Sequence, residues 1–196
     1  MWLNKRCVAC TDEQYEGCVK LLRDGFMLDG HRVKPNIRIA TIVVLQATLG
    51  LRLGDTLKLK LSSFIKDGDR WRLDIKEEKT DKVRTFTVPI EVYSFIQSYA
   101  YENDIPKDAK LFAISERQVE RHLNRVFQKM GMPLRTSGSH MFRKYFAYKV
   151  YVDNEYDISL VQTLLQHSSP STTRLYINVS KKRIEDALAK TVTHLV

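Results

Sequence analysis

Along most of the chain, apolar positions recur at helical spacing. Thr11 or Asp12 can cap a first helix that runs to about Asp24. From Asn36 onward, Ile37, Ala40, Thr41, Val44, Leu45 and Thr48 line one face of a second helix, which Gly50 stops. A short helix is expected at Leu53 to Leu59. Between the first two helices, Gly30 and Pro35 make Gly25 to Pro35 read as a loop. The period then changes to two. Trp71, Leu73 and Ile75 alternate with Arg70, Arg72, Asp74 and Lys76, the pattern of a half-buried strand. Val83 to Val88 is a second β-rich run, closed by Pro89, and the polar stretch Glu77 to Lys82 reads as the turn of a hairpin. Asp67-Gly68-Asp69 marks another turn, so a short third strand is expected at Ser63 to Ile65.

Helices resume at Glu91 to Tyr101 and at Arg117 to Met130. The latter carries Val119, Leu123, Val126, Phe127 and Met130 on one stripe. Ser139 can cap a helix from His140 to about Val152, and Asp157 one from Ile158 to Gln166. Ser169 with Pro170 suits a helix start and opens a short helix carrying Tyr176. A last helix, Lys181 to about His194, has Ile184, Ala187, Leu188, Val192 and Leu195 in register. The expected fold class is α+β, mainly α-helical, with a small antiparallel β-sheet.

Composition narrows the choice. A length of 196 residues suits one compact domain, and 43% apolar content is enough for a real core. No stretch approaches the roughly 20 apolar residues that span a bilayer. Met1 to Cys10 lacks the apolar centre of a secretory signal. Three cysteines do not make a disulfide framework, and the lone pair Cys7 and Cys10 reads as two reduced thiols. A cytoplasmic setting is expected. Lys and Arg outnumber Asp and Glu by 32 to 23, a formal +9. That surplus suits a polyanion, nucleic acid before membrane.

Three stretches carry candidate chemistry. His140 and Arg143, three apart on a helix, share a face. A guanidinium forks onto two phosphate oxygens, and an imidazole donates to a third or moves a proton. Arg52 follows the stop at Gly50, with Asp55 three residues later to hold it. His167 ends a helix, and Tyr176 lies nine positions on. A tyrosine with a free pKa of about 10 needs a cationic surrounding to act as a nucleophile, and two arginines and two imidazoles would supply it. No acidic cluster has metal-ligand spacing, so no metal and no cofactor is expected.

Together these pieces resemble the tyrosine recombinases, or phage-type integrases. The resemblance rests on the order Arg52, a hairpin lysine, His140-xx-Arg143, His167 and Tyr176. It rests also on the stretches TLGLRLGD, EEKTDKVRTFTVP, SHMFRKYFA and LLQHSSPSTTRLYINV. It covers about Thr11 to Ser180. It implies that Arg52 and Arg143 clamp the non-bridging oxygens of a DNA phosphate. Tyr176 would attack the phosphorus in line, forming a 3′-phosphotyrosyl link and freeing a 5′-hydroxyl. Lys79 would protonate the leaving oxygen; Lys76 and Lys82 lie in or beside the same turn, and the Lys-Thr pair favours Lys79. His140 would serve as base or hydrogen-bond donor, and His167 would bind a phosphate oxygen. Asp55 stands where the family usually has Glu, a shorter support for Arg52.

The resemblance implies a site-specific recombinase or integrase of a bacterial, phage or mobile element. It would act on double-stranded DNA, with no membrane and no small-molecule substrate. Residues 1–10 would be a lead-in and 11–180 a catalytic domain. Residues 181–196 would form a helix that packs on its own domain or docks on a neighbouring protomer in a tetramer. No DNA-clamping domain fits before Thr11, so a catalytic domain alone is expected, excised or naturally short. Two alternatives remain: a relaxing enzyme of the type IB topoisomerase kind and a non-catalytic DNA-binding accessory protein.

Overall fold

The computed structural model describes residues 7–76, 83–134, 137–165 and 171–173. Helix α1 (Asp12–Asp24) starts at a reciprocal cap. Thr11 Oγ1 accepts from the Gln14 N–H, and Gln14 Oε1 accepts from the Thr11 N–H. Helix α2 (Ile37–Leu49) is the centre of the fold. Its start is held by Asn36 Oδ1, which accepts from the Ile39 N–H at 3.1 Å. Apolar side chains occur on most of its faces, so it is buried nearly all round, against α1 and later helices. Helix α3 (Leu53–Leu57) follows at once. Helices α4 (Ile90–Glu102), α5 (Glu116–Lys129), α6 (His140–Asp153) and α7 (Ile158–Leu165) complete the named helices. The main core includes Leu22, Ile42, Leu45, Leu51, Ile96, Leu123, Phe127 and Phe142.

The loop expected at Gly25 to Pro35 is instead a small hairpin. Strand β1 (Phe26–Leu28) pairs antiparallel with β2 (His31–Val33). Its turn is Asp29-Gly30, with φ of +47° and +77°. Positive φ at both central residues twists the turn to match its strands, and Asp-Gly tolerates it. Three-residue strands are too short for an alternating pattern to stand out. The main sheet has the order β3-β4-β5, with β3 (Phe64–Asp67), β4 (Arg70–Lys76) and β5 (Val83–Val88) antiparallel. The strand expected at Ser63 to Ile65 begins one residue later, because Leu61–Ser63 forms a 3₁₀ turn first. Trp71 of β4 stacks on Tyr93 of α4 with ring centroids 3.5 Å apart and planes 12° apart, fastening the sheet to the helical body. The hairpin turn at 77–82, the helix start at Ser169-Pro170 and the helix at 181–194 lie outside the described residues.

A second, smaller core joins α6 to α7. Ala147, Val161 and Leu165 form it, with Phe146, Val150, Tyr151 and Ile158 against them. As expected, Asp157 Oδ1 accepts from the N–H groups of Ser159 and Leu160 at the start of α7. Ahead of α1, the chain is strapped to α6. Lys144, buried, donates to the Cys7 carbonyl, and Tyr145 donates to Asp12 Oδ1 at 2.7 Å while stacking on Tyr15. All three cysteines are free thiols. Burial pushes the Cys18 thiol up to about 12, so it stays protonated at neutral pH.

Gly50 ends α2 in the left-handed region, at φ +61°, and its N–H donates to the Gln46 carbonyl. A Cβ there would stand 2.3 Å from Phe146 Cδ1 on α6, so the helix end presses directly on an aromatic ring. Left-handed strain of about 1–2 kcal/mol and overpacking of about 1–3 kcal/mol add for Gly50→Ala, giving an expected loss of about 2–5 kcal/mol by urea denaturation. Adding Phe146→Ala should recover the overpacking part, whereas a fully additive double variant would contradict the contact.

His122 on α5 has a buried Nε2 with no hydrogen-bond partner among the described residues. Burial first, then the Arg125 and Arg121 charges, lowers its pKa below 6.5. The unfolded chain therefore binds the extra proton more readily. Stability is full above about pH 6.5 and falls as pH drops toward the folded value. His122→Gln is expected to flatten the unfolding free energy between pH 7 and 5. An unchanged slope would contradict this.

Candidate active site

The candidate site is built where α2 ends and α6 begins. The turn Gly50-Leu51 is locked from within: Gln46, fully buried, donates from Nε2 to the Leu51 carbonyl at 3.4 Å. Leu51 is buried too, which sets the next residue at the surface. Arg52 is the N-cap residue of α3, in extended conformation, and its carbonyl accepts from both the N–H and the hydroxyl of Thr56 at 2.9 Å. Its guanidinium is part-exposed and stands 3.9 Å from Asp55 Oδ2, a carboxylate only 2% exposed. That separation is an ion pair at its outer reach. The short Asp, one turn along α3, steers the arginine rather than gripping it.

Arg143 lies one turn into α6 and is fully buried. Its Nη1 donates to the Gly50 carbonyl and its Nη2 to the Leu165 carbonyl, the latter at 3.1 Å. Gly50 is the C-cap residue of α2, and Leu165 is the last described residue of α7. The partial negative charge at the end of α2 offsets part of the cost of burying a cation, which would otherwise reach several kcal/mol. The sequence places His140 and Arg143 on one face, and the structure refines this. His140, at the first position of α6, keeps part of its surface open, while Arg143 is enclosed by α2 and α7.

One guanidinium thus joins three separate segments. Gly50 is two residues before Arg52, and Leu165 is two residues before His167. Arg52, Asp55, His140 and Arg143 are described. Lys79, His167 and Tyr176 lie outside the described residues, as does the side chain of Lys76.

Sequence reasoning left out two charged residues at the head of α6. Glu120 on α5 accepts from the Ser139 N–H with both oxygens, at 3.1 and 3.3 Å, and Lys144 is the buried partner of the Cys7 carbonyl. Ser139 is the N-cap residue as expected. Its backbone is helical, at φ −54° and ψ −30°, and its side chain makes no cap bond. The partners are 19 and 137 residues apart, so no local pattern announces either contact. Among the described residues, no group of three or more His, Cys, Asp or Glu side chains is placed to hold a metal ion, and no helix is long and apolar enough to cross a membrane.

Comparison with known proteins agrees with this architecture. The chain is 28% identical over 147 residues to the tyrosine recombinase XerH of Helicobacter pylori, an alignment covering 70% of this chain and 40% of the relative. It is 32% identical over 166 residues to the tyrosine recombinase XerC of Leptospira interrogans, covering 81% and 52%. The chain therefore spans about half the length of these curated relatives, or less. A solved structure of XerH bound to difH substrate superposes with a TM-score of 0.68 at 23% identity, covering 96% of this chain and 55% of that one. The catalytic domain of bacteriophage HP1 integrase superposes with a TM-score of 0.61 at 17% identity, covering 94% and 95%. These likenesses establish the α+β, mainly helical fold. Residues 26–183 match the phage integrase family pattern, and the chain belongs to the phage integrase family.

Proposed function

We propose that the chain carries the catalytic centre of a site-specific recombinase that cuts and rejoins double-stranded DNA through a covalent tyrosine link. One observation carries the reading. The buried Arg143 ties down Gly50 and Leu165, and so draws together the segments leading to Arg52 and His167 around the helix that bears His140. Similarity to proteins named tyrosine recombinases supports it, as does the likeness to XerH solved on its difH substrate. The formal +9 charge suits a phosphate backbone.

In this reading the Tyr176 oxygen attacks phosphorus in line as His140 takes the phenolic proton. The bond from phosphorus to the 5′-oxygen breaks, and Lys79 gives that oxygen a proton. Arg52 at the surface takes the non-bridging oxygens, with His167 beside it, while Arg143, buried with both terminal nitrogens held by Gly50 and Leu165, adds its positive charge from behind. Asp55 steers Arg52. Phosphoryl transfer depends mainly on positioning and charge neutralisation, and fixed guanidinium groups serve both ends. One diester is exchanged for another, so the step needs no nucleotide. We assign this catalysis to residues 11–180, without metal or cofactor, acting on DNA in the cytoplasm. Residues 181–196 are assigned to a helix that docks on a neighbouring protomer of a tetramer.

A pool of nicked duplexes tests the chemistry by trapping the protein on DNA. The wild type is expected to give a protease-sensitive covalent adduct and Tyr176→Phe none. An adduct in the phenylalanine variant would remove the reading. Relaxation of supercoiled DNA by monomers, without exchange between two sites, would instead favour the topoisomerase alternative. Lys79→Ala should fail on ordinary DNA and recover on DNA whose 5′-leaving oxygen is replaced by sulfur. Normal cleavage of ordinary DNA would take the acid role from Lys79. Deleting the residues after Ser180 should weaken assembly on DNA, and unaltered assembly would end the docking assignment.

A further inference from the structure

The head of α6 is capped from outside its own segment. Ser139, in the N-cap position, has helical backbone angles, and its hydroxyl makes no cap bond. A helix start exposes N–H groups that need acceptors. The carboxylate of Glu120, projecting from α5, meets the Ser139 N–H with both oxygens at 3.1 and 3.3 Å. Such charge-assisted bonds are the stronger kind, and negative charge at a helix N-terminus is favourable. The contact is confined. Ser139 is 5% exposed, Glu120 is half-buried, and Gly138 seats the carboxylate closely enough that a Cβ there would touch Glu120 Oε2 at 3.6 Å. His140 follows directly, and Arg143 comes one turn later.

From this geometry we infer that Glu120 is a positioning residue for His140: it holds the first turn of α6 so that the imidazole meets the attacking tyrosine hydroxyl at the right angle. The inference rests on the proposed role of His140. Glu120 itself touches neither DNA phosphate nor tyrosine in this account. Its action runs through one backbone N–H. Glutamine keeps an acceptor oxygen at the same reach, whereas alanine leaves the Ser139 N–H without it. Proline at 139 deletes that N–H, and the observed φ of −54° lies within the range a proline ring imposes.

Two measurements on the full chain decide it. In single-turnover cleavage of the nicked duplex at saturating DNA, Glu120→Ala is expected to slow adduct formation about 10- to 100-fold, the scale of a small misplacement of a catalytic group. DNA affinity should stay the same, and Glu120→Gln should restore the rate. Ser139→Pro should match Glu120→Ala, with no further loss when the two are combined. In NMR spectra without DNA, Glu120→Ala should shift the His140 ring signals and remove exchange protection from the Ser139 amide, while Glu120→Gln keeps both. If the ring signals and the amide protection are unchanged in Glu120→Ala, or if alanine and glutamine slow cleavage equally, the inference is overturned. Should the wild type trap no DNA, the proposed function fails, and the NMR measurement alone decides the placement of His140. Should Glu120→Ala not fold, Glu120→Gln and Ser139→Pro carry the same comparison.

Discussion

The buried guanidinium of Arg143 is the constraint on which the arrangement depends. A cation removed from water is tolerable only where its donors are met, and its acceptors here include the carbonyls of Gly50, at the end of α2, and Leu165 of α7. The arginine thus ties the end of α2 and Leu165 of α7 to the first turns of α6. Removing its side chain would take that donor from both carbonyls and leave a polar hole in the core. Site and fold share this interaction, so a change at position 143 acts on both.

Gly50 makes that closeness possible. Only a residue without a side chain can turn left-handed there and let Phe146 lie against the backbone. The carbonyl that Arg143 needs is presented by that same turn, which Gln46 braces from inside. The order of causes runs from a glycine, to a tight helix end, to a carbonyl aimed inward, to an arginine that finds it.

Much of this was legible before any coordinates. Helix ends at Thr11, Gly50 and Asp157 follow from the chemistry of caps, and that chemistry is local. The alternation of Trp71, Leu73 and Ile75 marked β4 because seven residues are enough for a period of two to show. The hairpin at Phe26 to Val33 was not legible in the same way, although its Asp-Gly turn was the clue. At the site, spacing placed His140 and Arg143 on one face. It could not say which would be buried, because α2 and α7 decide that from distant parts of the chain. The Glu120 to Ser139 contact depends on the crossing of α5 and α6, which no short pattern encodes.

The strap ahead of α1 has a mechanical side. Lys144 grips the Cys7 carbonyl, and its neighbour Tyr145 holds Asp12, so two successive residues of α6 are moored to the chain's entry. Lys144 is adjacent to Arg143. The segment at Cys7 and Asp12 is therefore bonded to the same stretch of helix that carries the imidazole and the buried guanidinium, and any strand of protein leading into position 7 would be anchored beside them.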